Sequence, residues 1–343
     1  MFIECTSALR LLHRFVFGRF LIAALALMSC ATGRTAPFPC SYAAARDAGW
    51  AEAVFKVRDP QIFAKFARQV AGWQVTTTPE GEWLLHDAEY GVGVIRVLHT
   101  ARPAPPLAVD RPWDTGGLFS VMTRSNDLNG AYAAATALGW GAANVPVSLD
   151  FGGVTLANVV LRGPSAANVA IYERLQPRMP DAPDLQKLRR PFNSMQVVRN
   201  LAEAKNFYVD LLGFSNLGSG RFRAPPGSPS NFGIPPSMSN EAALDYMILA
   251  PAANGPTQIE VVSFVGVDSR PRRTRDLEAA GLVALRFPVR SLEALRQRLS
   301  RAQYPFETAK ISLPPYGTVT AIRVRSPEGA QLEFFSPGAT DCR

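Results

Sequence analysis

The sequence predicts an α+β fold made of four repeats of one strand-and-helix unit, grouped into two domains and preceded by a signal peptide. Four segments share the same order of an apolar strand, a short polar stop and a helix with an apolar stripe. The polar stops lie roughly 70 to 90 residues apart, which is long for a solenoid repeat and suits small α/β modules. Two proline-rich connectors separate successive modules. These features indicate a modular chain rather than one large domain.

The amino terminus has the features of a signal peptide over residues 1–30. Arg10, Arg14 and Arg19 precede an apolar run at 20–28, which is shorter than the ~20 residues that a membrane span requires. The run ends in Leu-Met-Ser-Cys, which resembles the lipobox of bacterial lipoproteins, whose cysteine, here Cys30, becomes lipidated. We therefore predict an exported protein of a bacterium, either periplasmic or membrane-anchored through its lipid.

Two other interpretations of this segment remain open. Cleavage by ordinary signal peptidase after Ala31 or Gly33 would release an exported protein without a lipid anchor. A buried amino-terminal helix would have to accommodate an uncharged stretch that lacks an amphipathic face.

Export also changes how the cysteines are interpreted. Cys40 and Cys342 lie at opposite ends of the mature chain, and the termini of a domain often lie close together. An oxidising compartment permits a disulfide, so we predict a Cys40–Cys342 bond. Two unpaired cysteines are the alternative.

The composition excludes some classes of partner. An apolar fraction of 47% and a charged fraction of 19% are typical of a globular protein. The formal charge is +8, but most basic residues are scattered along the chain. The densest basic group lies in a proline-containing connector without aromatic residues, and it consists of Arg270, Arg272, Arg273 and Arg275. We interpret it as a solvated loop and expect no nucleic-acid partner.

Each predicted helix begins at a polar residue that can accept hydrogen bonds from the free N–H groups of its first turn. In chain order these residues are Asp59, Asp127, Asn200 and Ser291. In the first module Pro60 fits the first helical position and Gly72 ends the helix. In the third module apolar residues recur at helical spacing between 201 and 212. The fourth module keeps the strand and the helix without the glycine.

Further strands fit after each helix, as at 243–251, 257–265, 318–326 and 330–337. The proline-rich connectors cover 101–113 and 175–191, and we place the main boundary between 180 and 190. The predicted domains are therefore 45–178 and 190–338, each with two modules. Residues 217–240 form a long irregular stretch inside the third module, which is either a lid over a binding site or a disordered surface loop.

The segment QVVRNLAEAKNFYVDLLGF at 196–214 resembles the opening strand and helix of the vicinal oxygen chelate superfamily, which includes glyoxalase I, bleomycin-resistance proteins and extradiol dioxygenases. Residues 326–337 are similar to the closing turn and strand of the family, and residues 163–177 look like the end of module two in four-module members. The order of these segments extends the resemblance over nearly the whole mature chain. It implies βαβββ modules whose paired sheets curve into an open barrel around a ligand.

The resemblance also implies positions for a metal, on the first and last strands of each module. In the third module they fall on Asn193 and Glu260, and in the fourth on Ala284 and Glu333. Catalytic members normally carry His or Gln on the first strand, so this chain departs from the pattern. A harder divalent cation could still use Glu260, Glu333, the Asn193 carbonyl and water, although Ala284 removes one ligand.

A facial-triad iron site needs two imidazoles and a carboxylate. The three histidines, His13, His86 and His99, all precede the C-terminal half, so this half cannot form such a site. In the first module the first-strand position is Glu52, which could form a second site with His86 or His99. A structural histidine is the alternative. Ser120 holds the matching position in the second module and has no recognisable base partner.

Without a metal, Glu333 and Glu260 are the candidate catalytic residues, because burial raises the proton affinity of a carboxylate toward neutral pH. Arg286 shares a strand face with Ala284 and could hold an anionic or oxygen-rich ligand. A Glu333–Arg286 ion pair that merely fills the cup is the alternative. The other predicted ligand contacts are Asn193, Met195 and Phe335.

Two functions remain after this reasoning. The first is an exported protein that binds a small hydrophobic or aromatic molecule without a catalytic metal. The second is a divergent metal-dependent enzyme, namely a lyase, an isomerase or an extradiol-type dioxygenase. The missing first-strand histidines favour binding, and no phosphate loop, H-E-x-x-H, C-x-x-C or G-x-S-x-G motif points elsewhere. The sequence leaves open whether the modules pair within one chain or across a homodimer.

Overall fold

A computed structural model of the protein describes residues 45–87, 91–101, 111–151, 153–179, 187–272 and 280–336. The predicted signal peptide, the lipidation site Cys30 and the predicted disulfide of Cys40 and Cys342 lie outside these ranges. Within the ranges, no helix combines the length and the hydropathy that crossing a bilayer requires.

The first two modules contain the following elements. Module one has β1 (Glu52–Val57), α1 (Pro60–Lys65), β2 (Gln74–Thr77), β3 (Trp83–His86) and β4 (Val94–His99). Module two has β5 (Leu118–Arg124), α2 (Leu128–Ala137), β6 (Gly141–Ala142), β7 (Val147–Phe151), β8 (Val154–Arg162) and β9 (Asn168–Gln176). Both β6 and β7 pair with β8, so two short strands stand where module one has a single strand.

The last two modules follow the same order. Module three has β10 (Asn193–Val197), α3 (Leu201–Lys205), β11 (Ser215–Phe222), β12 (Ala243–Ala250) and β13 (Gln258–Val265). Module four has β14 (Gly281–Pro288), α4 (Leu292–Arg301), β15 (Phe306–Ser312), β16 (Thr318–Arg325) and β17 (Gln331–Ser336). The predicted α+β class is confirmed. Strand β11 extends to residue 222, so the irregular segment is shorter than predicted and begins at 223.

The four helices begin where the polar stops predict. The side chains of Asp59, Asp127, Asn200 and Ser291 each accept a hydrogen bond from a backbone N–H of the first turn. Helices α1 and α3 continue as one turn of π-helix, over Phe66–Ala71 and Asn206–Leu211. Gly72 ends the first of these at φ +72°, a left-handed conformation that glycine adopts without steric cost.

The strands form two sheets. The eight-stranded sheet has the order β15-β16-β17-β14-β1-β4-β3-β2, and the nine-stranded sheet has the order β11-β12-β13-β10-β5-β9-β8-β6 with β7 also on β8. The first strands pair antiparallel, β1 with β14 and β5 with β10. Module one therefore shares a sheet with module four, and module two shares a sheet with module three, within a single chain.

This arrangement corrects the predicted pairing of consecutive modules. Each of the expected domains, 45–178 and 190–338, combines a module of the eight-stranded sheet with a module of the nine-stranded sheet. The expected boundary at 180–190 separates modules two and three, which share a sheet. The prediction failed because repeats identify the units, whereas the partner of each first strand depends on which exposed strand edges meet in the folded chain.

Consecutive modules instead meet through their helices. One apolar core contains residues from both sheets and all four modules. Phe66 of module one stacks on Trp140 of module two with ring centroids 4.3 Å apart, and Phe214 of module three lies 5.7 Å from Phe287 of module four. The helical layer thus occupies one face of each sheet and leaves the opposite face for a site.

Candidate functional site

The faces turned away from the helices curve around two hollows. We call the hollow of the eight-stranded sheet cup A and that of the nine-stranded sheet cup B. In cup A the sheet edges meet, since the Ser312 hydroxyl at the end of β15 donates to Glu80 after β2, at 3.1 Å. In cup B the Asn144 amide after β6 donates to the Ser230 carbonyl after β11, at 3.3 Å. Both sheets therefore curl until their opposite ends touch.

Four buried charged side chains form one ion-paired network in cup A. Arg96 on β4 donates to both carboxylate oxygens of Glu52 on β1, at 2.7 and 2.8 Å. Arg286 on β14 donates to Glu52 at 3.2 Å and to Glu333 on β17 at 2.7 Å. The strand register produces this contact, because Glu52 lies opposite Arg286 and Arg286 lies opposite Glu333. All four residues are at most 8% exposed, so the network fills the centre of the cup.

The network holds both carboxylates in their ionised form. Burial alone would raise the pKa of Glu52, but the charges and hydrogen bonds of Arg96 and Arg286 outweigh it and lower the pKa below its usual value. The pKa of Glu333 is lowered in the same way by Arg286 and Arg323 against the effect of burial. A general base at neutral pH needs a raised pKa, so the shift of Glu333 runs opposite to its predicted catalytic role.

The residues of cup A do not fit a divalent metal. Its first-strand positions are Glu52 and Ala284, and its last-strand positions are Arg96 and Glu333. Two guanidinium groups occupy the carboxylate oxygens that a cation would need, and Ala284 offers no ligand atom. The hydrogen bonds described for Glu52 come from arginines and not from a histidine, and His86 Nδ1 lies 2.8 Å from the Asp87 carbonyl oxygen. The ion-pair interpretation of Glu333 and Arg286 is therefore the one that the geometry supports.

Cup B contains the carboxyl group of Glu260 on β13, which is partly buried. Its neighbours Ile259 and Val261 belong to the core under the helices, whereas Val262 and Phe264 belong to a second apolar cluster that lines cup B. No described residue donates a hydrogen bond or pairs as an ion with Glu260. Burial without a compensating partner raises the pKa of Glu260 to about 7. This carboxyl group therefore titrates at neutral pH.

The strand register places Met195 between Glu260 and Ser120 on adjacent strands. Met195 is buried against the apolar lining of cup B. Ser120 is fully buried, and its hydroxyl has no hydrogen-bond partner within the described part of the chain. Asn193 is also buried, and its side-chain oxygen accepts a hydrogen bond from the Ser194 N–H at 2.9 Å.

These residues do not form a metal site in cup B either. Ser120 and Asn193 hold its first-strand positions, and Ala170 and Glu260 hold its last-strand positions. One carboxylate, without an imidazole or a thiolate, is too few strong ligands for a transition metal. Across the described ranges no group of three or more His, Cys, Asp or Glu side chains is placed to hold an ion.

Polar groups from module two face Glu260 inside cup B. Burial raises the pKa of the Tyr172 hydroxyl on β9, and the negative charge of Glu260 raises it further. Tyr172 lies opposite Asn158 on β8. The Asn158 side-chain oxygen accepts a hydrogen bond from Asn231 at 2.6 Å, and a hydrogen bond from the Asn158 side chain partly offsets the rise in the pKa of Tyr172. A row of polar groups thus connects the surroundings of Glu260 with the loop after β11.

That loop, residues 223–242, covers a cavity of about 280 Å³ at the mouth of cup B. We call it the lid. The strands contribute Leu149, Leu244 and Phe264 to the cavity wall, and the lid contributes Phe232 and Ile234. The Phe232 ring packs against Phe264 at 5.2 Å between centroids and against Phe119 of module two at 6.4 Å. The lid therefore contacts both modules of the sheet, as the lid interpretation of this segment expects.

The structure separates the two predicted catalytic carboxylates. Glu333 lies in cup A with the predicted ligand contacts Arg286 and Phe335, and the Phe335 ring is fully buried 4.9 Å from Tyr316. Glu260 lies in cup B with Asn193 and Met195. The predicted residues therefore form two groups in different sheets, and no single site combines Glu260 with Glu333.

Sequence reasoning missed several residues that shape these cups. Arg96 carried a detectable signal, since it is an arginine inside the apolar strand VIRVLH and the last-strand rule applied to module one leads to it. Tyr172 and Asn158 lie on strands of module two whose facing depends on the cross-module pairing. The lid residues Asn231 and Phe232 lie in an irregular segment that carries no periodic signal.

Comparisons with known proteins agree with this fold. A family profile described as the Glyoxalase/Bleomycin resistance protein/Dioxygenase superfamily matches residues 193–334, which hold modules three and four. A comparison with curated protein sequences gives no match.

Solved structures resemble a larger part of the chain. A mutant of glyoxalase I from Zea mays has a TM-score of 0.56 at 14% identity, covering 86% of this chain and 95% of that chain. Glyoxalase I from Zea mays has a TM-score of 0.53 at 15% identity, with coverages of 86% and 93%. A putative dioxygenase from Bacillus subtilis subsp. subtilis str. 168 has a TM-score of 0.49 at 11% identity, with coverages of 85% and 86%. At these identities the likeness concerns the fold alone, and the two maize structures carry it.

Proposed function

We propose that this protein binds a small, mostly apolar organic molecule in cup B, since residues 193–334 match the profile of the Glyoxalase/Bleomycin resistance protein/Dioxygenase superfamily. The observation that carries the proposal is the cavity of about 280 Å³ between the lid and the apolar lining of the cup. Cavities of this kind, with an apolar wall and few polar groups, are the usual form of small-molecule sites. The ion-paired network gives cup A a structural role instead.

The polar groups in cup B support binding of a molecule with at least one polar end. The Ser120 hydroxyl is buried without a partner in the described structure. Unpaired buried polar atoms are costly, so a ligand or an ordered water that completes their hydrogen bonds would be held firmly. Export of the protein, by the signal peptide predicted at 1–30, belongs to the same proposal and would place this binding outside the cytoplasm.

A blocking substitution tests the site. Indole should raise the melting temperature of the wild-type protein in a concentration-dependent way, because it binds the folded state only. Ser148 is an exposed residue of the cavity wall, so Ser148→Trp should fill the mouth and weaken indole binding roughly tenfold or more. The matched control is Ser300→Trp on the exposed face of α4, which should bind indole like the wild type. Equal binding by both variants would contradict a site in cup B.

A metal titration separates this proposal from a divergent metal-dependent lyase, isomerase or dioxygenase. Since neither cup offers a fitting set of ligands, adding Mn²⁺, Fe²⁺, Ni²⁺ or Zn²⁺ should leave the melting temperature unchanged. The measurement is differential scanning fluorimetry together with elemental analysis of the purified protein. One equivalent of bound metal that disappears in Glu260→Ala or Glu333→Ala would favour the enzyme.

A further inference from the structure

Among the described residues, the charged side chains that line the cavity under the lid are those of Arg223 and Asp150. Arg223 is the first residue of the lid and follows β11, whereas Asp150 lies on β7, so the two approach the cavity from opposite ends of the sheet. The strands contribute an apolar wall between them, with Leu149, Leu244 and Phe264. A charge on the ligand would therefore be recognised at one of these two side chains.

The Arg223 guanidinium has most of its hydrogen-bond donors available. One N–H donates to the Asn240 carbonyl at the far end of the lid, at 2.5 Å. A guanidinium carries five N–H donors and a permanent positive charge, and no described carboxylate lies within ion-pair distance of this one. The Asp150 carboxylate, by comparison, already accepts a hydrogen bond from the Thr155 hydroxyl at 2.7 Å. Arg223 is thus a cation at the cavity without an anionic partner in the described structure.

We propose that the ligand of cup B is a small organic acid, bound as its anion with the carboxylate at Arg223. This inference rests on the proposed function, and it adds the chemical class of the ligand. The planar fork of a guanidinium matches the two oxygens of a carboxylate, and such bonds are among the strong hydrogen bonds of proteins. The apolar body of the acid occupies the cavity under the lid.

Serine hydroxyls of the lid supply neutral donors for the same anion. Ser228 and Ser230 both line the cavity. The Ser230 hydroxyl oxygen accepts a hydrogen bond from the Phe232 N–H at 3.1 Å, which leaves its own hydrogen available. The Ser228 hydroxyl makes no hydrogen bond within the described part of the chain. An anion at Arg223 therefore finds further donors without displacing a bond that holds the lid.

A second arginine gives the inner wall of cup B the same sign of charge. Arg174 on β9 lies opposite Leu156 on β8, and Leu156 lies opposite Leu149 in the cavity wall. Opposite residues share a face, so Arg174 lies on the face of Leu149, two strands or roughly 10 Å away. Its Nε is buried without a hydrogen-bond partner in the described structure. Glu260, the acid of the same cup, does not line the cavity.

Two probes of nearly identical shape test the inference, namely phenylacetate, an anion at neutral pH, and phenylacetamide, which is neutral. Isothermal titration calorimetry at pH 7 should give roughly tenfold or more tighter binding of phenylacetate to the wild type. Arg223→Gln should reduce this preference to about twofold or less while it still binds phenylacetamide. The readout is the ratio of the two affinities, because loss of the bond to Asn240 loosens the lid for both probes alike.

The matched control is Arg221→Gln, which removes the same charge two residues earlier in the chain. Arg221 pairs with Asp245 at 2.6 Å and does not line the cavity, so this variant should keep the preference. Arg223→Lys should retain part of it, since the charge remains and the fork is lost. Asp150→Asn should strengthen phenylacetate binding, because it removes a like charge from the cavity wall.

Three results would overturn the acid inference and leave the proposed function standing. The first is equal affinity of the wild type for the two probes, and the second is a preference that survives in Arg223→Gln. The third is failure of both probes to bind while indole still does. Failure of indole and both probes together would contradict the proposed function as well.

Discussion

Replacing Glu52 by Gln should lower the free energy of unfolding by about 3 to 5 kcal/mol at pH 7, because it leaves two buried guanidinium groups without their shared carboxylate. Arg96 and Arg286 both depend on Glu52 in the centre of cup A. The single amide oxygen of Gln can still accept hydrogen bonds, but it carries no charge to offset theirs. Urea unfolding monitored by tryptophan fluorescence measures the loss.

The control for this prediction is an ion pair of the same type on the surface. Glu293 and Arg296 pair at 2.5 Å on the exposed face of α4, so Glu293→Gln should produce no resolvable loss. A decrease of less than about 1 kcal/mol in Glu52→Gln would show that the network of cup A relaxes, or admits water, when one member is removed.

The same network predicts loss of stability in acid. The pKa of Glu52 and the pKa of Glu333 lie below their usual values in the folded protein, so both groups stabilise it above the unfolded pKa. This contribution disappears as the pH falls through the folded pKa values. Glu52→Gln should therefore lose less stability between pH 7 and pH 3 than the wild type does.

Replacing Glu260 by Gln should have the opposite sign and should stabilise the protein at alkaline pH. The pKa of Glu260 is raised from 4.5 to about 7 by burial, so the folded state favours its protonated form. The contribution is complete below the unfolded pKa and is lost as the pH rises through the folded pKa. At pH 8 Glu260→Gln should exceed the wild type by roughly 3 kcal/mol, and below pH 4.5 the two should be alike.

Unfolding curves of both proteins from pH 4 to pH 9 check this prediction, with the exposed Glu241→Gln as the control that should follow the wild type. The experiment is done without ligand, since binding to the folded state would itself change the stability and hide the effect. A Glu260→Gln protein that is no more stable than the wild type at pH 8 would mean that the carboxylate finds a partner in solution.

The local elements of this protein follow from its sequence. The helix starts at Asp59, Asp127, Asn200 and Ser291 were predictable because capping is a local hydrogen-bond requirement of the first turn. The order of strands within each module was predictable because alternation and spacing repeat along the chain. The family resemblance also located Glu260 and Glu333 on the last strands of their modules, where the structure has them.

The tertiary structure alone decided what those residues do. Glu333 and Glu260 hold equivalent positions in similar modules, yet one is ionised in a network of arginines and the other is unpaired with a pKa of about 7. The difference comes from the strands placed beside them, since module four meets module one with Glu52 and Arg96, whereas module three meets module two with Ser120 and Ala170. A repeated sequence specifies each unit through local contacts, but the environment of a buried charge is set by partners far apart in the chain. That long-range pairing carries no local signal.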